Sequence, residues 1–289
     1  MSPRARRPPS PPPDAELTDD LRAAMVRLTG DLKKAARDLT AGQARYVVDS
    51  YYQIQQFRME AANNVRAAEA AGEPTAFLLW MRDLTKRMES TVKSALNEYT
   101  ETLEAARWAK SIVGIGPVIS AGLAAHIDIR RAQTAGAIWR FAGLDPTVRW
   151  EKKQKRPWNA ALKTLCWKIG ESFVKVQNLE GDIYGHVYVE RKAKEIQRNL
   201  AGHNAEIARR ILSEKDFRKD TKAKAAYESG VLPDGHIHAR AKRYAVKLFL
   251  SHYHHVAYEA EFHVLPPKPY IIEHGGHTHF LAPPNWPMA

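Results

Sequence analysis

Residues 111–120 read Ser-Ile-Val-Gly-Ile-Gly-Pro-Val-Ile-Ser, a turn between two helices punctuated by glycine and proline. Gly114 and Gly116 supply the left-handed or close-approach backbone that such a tight turn needs. Pro117 suits the first position of the next helix, where its missing N–H costs nothing. That helix, expected over 118–126, is built of small residues (Ser120, Ala121, Gly122, Ala124, Ala125) that let it pack closely on the helix before it. The free amides at its start sit at the positive end of the helix dipole and suit an anion, with a DNA phosphate the obvious candidate. A lone Gly-x-Gly-Pro turn also fits an ordinary helix–helix connection, so its surroundings have to decide.

Downstream, Thr134 caps a helix expected over 135–142, Gly143 ends it, and Leu144-Asp145-Pro146 makes a sharp stop. Between Arg130 and Lys168 there are ten Lys or Arg and only two acids, Asp145 and Glu151. Trp150 and Trp158 flank the densest basic run, and a basic loop interleaved with aromatics suits backbone contact and base stacking. The candidate DNA contacts are therefore Gly114, Ile115 and Gly116 of the turn, with Arg130, Arg131, Arg149, Lys152, Lys153, Lys155, Arg156 and Lys163 around it. A solvated loop accounts equally well for some of these lysines.

The flanking sequence predicts an all-α chain. From 15 to 110 the tract is rich in Ala, Leu, Arg, Glu and Gln, and Thr40 with Gln43 forms a capping box. Val47, Tyr51, Ile54, Ala61, Val65 and Ala68 mark the apolar face of one helix. Beyond the break at Gly72–Thr75, Phe77, Met81, Leu84, Met88, Val92, Leu96, Tyr99 and Leu103 mark a second stripe, read as core. Two long stripes joined by a short break suggest a helical hairpin or coiled coil, which pairs with a second copy. Further helices are expected around 188–200, 204–229 and 236–263, the last with Ile237, Ala241, Tyr244, Leu248, His252 and Val256 on one face. Arg240, Arg243 and Lys247 lie on a neighbouring face, as phosphate contacts or as a solvated surface. The expected divisions are a disordered basic Pro-rich tail at 1–14, the long helices at 15–110, the helix-hairpin-helix module at 111–178, C-terminal helices at 179–263 and an extended tail at 264–289.

Lys and Arg number 44 against 32 acids, for a formal charge of +12 and a pI near 9.7. Such an excess points to a polyanionic partner, DNA or alternatively RNA. The one cysteine, Cys166, excludes an intramolecular disulfide and fits the cytoplasm, and no apolar run approaches the roughly 20 residues that cross a bilayer. Histidines gather at 236 and 238, at 252, 254 and 255, and at 274, 277 and 279. Without cysteine or carboxylate partners at a ligand spacing they define no metal site, and His252, on an apolar stripe, reads as a satisfied core histidine.

The run IVGIGPVISAGLAAHI, then DIRRA, AIWRFAGLDPTVR and KRPWNAALK, resembles the C-terminal module of insertion-sequence transposases of the IS110/IS116 group. That resemblance covers about seventy residues. Members of the group also carry a RuvC-like sheet domain with four metal-binding acids, whereas residues 1–110 here read as helical. They further carry a serine in the loop after the A-G-L-x-P stop, where this chain has only Thr147. The resemblance thus implies a transposase-related protein that binds duplex DNA backbone through its helix-hairpin-helix, with no nuclease, cofactor or metal of its own. The long apolar stripes of the N-terminal helices favour a homo-oligomer, and no membrane partner is expected. Two other readings stay open: a divergent transposase or recombinase subunit whose partner supplies the catalytic domain, and a helical oligomeric scaffold. Enzymatic activity itself is left undecided, leaning to none.

Overall fold

The computed structural model describes residues 28–151, 153–217, 219–267 and 281–288; the expected 1–14 tail, Lys152 and the 274–279 histidines lie outside them. All regular structure among the described residues is helical. In chain order the helices are α1 (Gly30–Arg37), α2 (Ala41–Ala71), α3 (Ala76–Glu101), α4 (Glu104–Lys110), α5 (Pro117–His126), α6 (Ala135–Phe141), α7 (Ala160–Val176), α8 (Tyr184–Leu200), α9 (Ala205–Glu214), α10 (Lys222–Glu228) and α11 (Asp234–Phe262). A 3₁₀ turn covers Ile129–Arg131.

The two long helices form an antiparallel hairpin. Thr40 and Gln43 close the expected capping box at the start of α2, and Gly72 ends it with φ 69. Across the hairpin, Glu89 accepts from Tyr51 Oη and Gln55 Nε2, each at 3.0 Å, and pairs with Arg58. Near the globular body, Ala44, Val48 and Tyr51 of α2 and Leu96 and Tyr99 of α3 pack on Val118, Ala121 and Ala125 of α5. Further out, Ala61, Val65 and Ala68 are buried, but Phe77 and Met88 of the predicted second stripe are 69 % and 42 % exposed. Reading that whole stripe as core was therefore wrong. Only its C-terminal half meets a third helix, and Thr85 takes the buried position where the face of α3 rotates.

A second core is organised by α11, which packs against α4, α6, α7 and α8. It contains Trp108, Ile138, Leu162, Ile169, Phe173, Tyr184, Phe249 and Val256, so the segment around the Gly-x-Gly-Pro turn and the C-terminal helices share one interior. Along α11 the buried positions include Ile237, Ala241, Ala245, Phe249, His252 and Val256, while Tyr244, predicted on the same face, is 44 % exposed beside Arg191. His252 has partners on both ring nitrogens, Tyr184 Oη at 2.6 Å and the Leu281 carbonyl at 2.9 Å, as a satisfied core histidine should. Residues 281–288 lie across this core: Trp108 Nε1 donates to the Pro284 carbonyl at 2.7 Å, and Trp286 Nε1 donates to Glu259 at 2.8 Å.

Candidate nucleic-acid interface

The connection from α4 to α5 is a tight helix–turn–helix joint. Gly114 has φ 92, and a Cβ there would stand 3.1 Å from both Ser172 Oγ and Val176 Cγ2 of α7. Ser172 Oγ donates to the Gly114 carbonyl at 2.5 Å and pins the turn to α7. The small residues of α5 serve close packing as expected. Ser120 Oγ donates to the Ala106 carbonyl of α4 at 2.6 Å, and a Cβ on Gly122 would meet Leu165 at 2.8 Å.

Gly116 differs from Gly114. Its backbone is extended (φ −97, ψ 178), so any residue could adopt it, and no protein atom lies within 4 Å of where a Cβ would be. Gly116 also offers no side chain to cap the first turn of α5. The start of α5, Gly116–Ile119, opens instead onto a groove of about 360 Å³ walled by Tyr51 and Tyr52 of α2, Lys93 of α3, and Trp167, Lys168 and Lys175 of α7. Lys168 lies over the Tyr52 ring at 3.8 Å, and burial together with the charge of Lys175 lowers its pKa. Glu171, the one carboxylate on the groove wall, is paired with Lys242 of α11. Ile115 is placed otherwise: its side chain is in the core and its amide donates to the Ile112 carbonyl at 2.9 Å, so that amide is not offered to an anion.

The basic loop forms a second corner. Arg149, Lys153, Lys155 and Arg156 are exposed, and Lys153 turns the chain with φ 77. Trp150 and Trp158 meet edge to face at 6.4 Å, Arg156 lies 5.3 Å from the Trp150 ring centre, and Lys163 Nζ lies 4.1 Å from that of Trp158. Gly143, with φ 66, makes room for this: a Cβ there would stand 2.8 Å from Trp158 and 3.0 Å from Lys163. Asn159 then caps α7, accepting from the Leu162 amide at 2.9 Å. Burial, and the charges of Arg156 and of Arg243 from α11, hold the Lys163 pKa below the usual lysine range. Thr147, standing where the transposases of the resemblance carry serine, donates its hydroxyl to Asp145 at 2.7 Å. A carboxylate therefore stands beside that hydroxyl. The same oxygen also accepts the Thr147 amide, and these bonds depress the Asp145 pKa, which makes it a turn-holding acceptor and a weak base.

Helix α7 joins the two corners. At about 100° per residue, Lys163 and Trp167 lie within about 40° of each other and Lys168 and Lys175 within about 20°, the lysine pair turned away from Lys163 by about 120–140°, over about 18 Å of helix. Arg130 and Arg131 do not join them. Arg130 is bonded to Glu261 at 2.5 Å, some eighteen residues along α11 from Arg243, or about 27 Å. Lys93, Trp167, Lys168 and Lys175 were absent from the predicted contacts; their signal was available only in the helical register of α7 against the turn.

An all-helical body built around a helix–turn–helix joint, with cations along the helix beside it, defines the structural class. Residues 106–161, from within α4 to the start of α7, match the model of the Transposase IS116/IS110/IS902 family. The matched stretch holds both the Gly114–Pro117 turn and the Trp150–Trp158 loop, so a transposase-related segment forms the centre of the molecule. No curated protein and no solved structure matches the chain. Among the described residues no helix is long and apolar enough to cross a membrane, and no group of three or more potential metal ligands is found.

Proposed function

We propose that this protein is a transposase-related DNA-binding protein that grips duplex backbone at the start of α5, without nuclease activity of its own. The observation that carries the reading is the open groove at Gly116–Ile119, whose wall holds Lys93, Lys168 and Lys175 while its single acid is already paired. Uncapped amides at a helix start bind a phosphate, and the lysines add the counterion-releasing contacts that make up most backbone affinity. A glycine that neither its own backbone angles nor its neighbours require is consistent with close approach by a partner from outside. Membership of residues 106–161 in a transposase family supports DNA as the polyanion.

Gly116→Val tests the contact directly. The side chain fits the fold, so helix content by circular dichroism should be unchanged while affinity for a duplex falls about tenfold or more; undiminished affinity removes the turn from the interface. Lys168→Gln with Lys175→Gln should weaken binding to all duplex sequences alike, because backbone contacts carry no sequence information.

The proposal includes self-association through the outer part of the α2–α3 hairpin. Phe57, Phe77, Trp80 and Met88 are exposed there, and Phe77 stacks on Trp80 at 5.5 Å. Large apolar groups exposed together at the outer end of a helical hairpin suit a second copy.

A further inference from the structure

We propose that the cleft at the start of α7 receives one unpaired nucleotide of a nucleic-acid strand, its base against Trp150 and its phosphate between Arg156 and Lys163. This rests on the reading of the protein as a nucleic-acid binder and adds the kind of strand that it selects. The cleft, of about 270 Å³, is lined by Trp150, Arg156, Trp158, Lys163 and Thr164, and it is separate from the groove at Gly116.

Charge is the first argument. Several cations among the described residues meet carboxylates: Arg58 with Glu89, Arg191 and Arg240 with Glu195, Lys110 with Glu101, Lys242 with Glu171. Arg156, Lys163 and the nearby Arg243 are exposed and have no ion pair among the described residues, and the charges of both arginines act on Lys163. A bound anion would offset the repulsion among these cations.

The indoles decide which anion. Trp158 is packed by Gly143 and covered by Lys163, so loop packing explains it. Trp150 meets Trp158 edge to face and has Arg156 over its ring, yet it stays 39 % exposed with its indole N–H fixed on the Gln154 carbonyl at 2.7 Å. An indole ring held in place beside cations is a stacking platform for a base. In an intact duplex the base faces are covered by their neighbours, and only an unpaired nucleotide can offer one together with its phosphate.

The test uses the full chain and three fluorescent probes of equal phosphate count: an oligothymidylate, an abasic strand and a blunt duplex. Trp150→Ala is compared with Trp150→Phe, which keeps an aromatic face. The expected result is that Trp150→Ala loses about tenfold in affinity for oligothymidylate, Trp150→Phe loses little, and neither changes binding of the abasic strand or the duplex. Equal binding of oligothymidylate by wild type and Trp150→Ala, or equal wild-type affinity for oligothymidylate and the abasic strand, overturns the proposal and leaves a phosphate contact alone. Gly116→Val separates the two sites: if it leaves duplex affinity intact while Trp150→Ala still weakens oligothymidylate binding, the groove reading fails and this one stands.

Discussion

At Gly114 the chain turns with φ 92 against Ser172 and Val176, whereas two residues on, Gly116 faces open space with ordinary backbone angles. Equal treatment of the two glycines in the sequence hid this difference. Gly114→Ala should cost about 1–3 kcal/mol in chemical denaturation, from backbone strain plus a contact its neighbours must relieve. Gly116→Val should cost well under that. A reversal of that order would mean that the turn is built differently. His252 makes a second prediction. Burial, the largest influence, pushes its pKa down to about 4, against a carbonyl bond from Leu281 that raises it. A folded-state pKa depressed below the unfolded value of about 6.5 means that the unfolded chain takes up the proton first. Stability should be fully present above pH 6.5 and fall by about 3 kcal/mol as pH drops toward 4, read from the urea midpoint. His254 and His236 shift in the same direction for the same reason, desolvation. His252→Gln should flatten the profile; a pH-independent midpoint would show that these rings are solvated.

Among the elements, those with local signals were legible and those defined by contact were not. The Thr40 capping box, the Gly72 stop and the Thr134 cap are read from neighbouring residues, and all three stand where the sequence puts them. The outer stripe of α3 was misread because periodicity shows which positions share a face, not whether another helix covers it. Phe77 and Met88 share the apolar face with Leu96, but α5 reaches only the Leu96 end. Likewise the place of Lys168 and Lys175 on the groove wall depends on α7 lying beside the turn that starts α5, which no local sequence signal encodes. Two element-scale outcomes follow. Leu96→Ala, at a fully buried junction of α2, α3 and α5, should cost about 2–5 kcal/mol in denaturation. Phe77→Asp with Trp80→Asp, in contrast, should leave stability nearly unchanged and lower the sedimentation coefficient to that of a monomer. A wild-type protein that already sediments as a monomer would remove the hairpin from self-association.

For the whole molecule, one geometric relation underlies the proposed function: α7 runs from a basic aromatic loop, where Lys163 stands, past an open helix start, whose groove Lys168 and Lys175 line. The family match covers that region and stops as α7 begins, so the groove wall of Trp167, Lys168 and Lys175 lies beyond the matched residues. The distribution of charge accounts for the direction of the +12 excess better than its total does. Arg130, bonded to Glu261, adds to the total without joining the interface. The measurement that bears most directly on this account is duplex affinity as a function of salt. With at least four phosphates neutralised, log K should fall against log salt with a slope of about −3.6 or steeper, and Lys168→Gln with Lys175→Gln should reduce the steepness by about 1.8. A flat dependence, or a slope unmoved by loss of both lysines, would contradict a backbone grip at the start of α5.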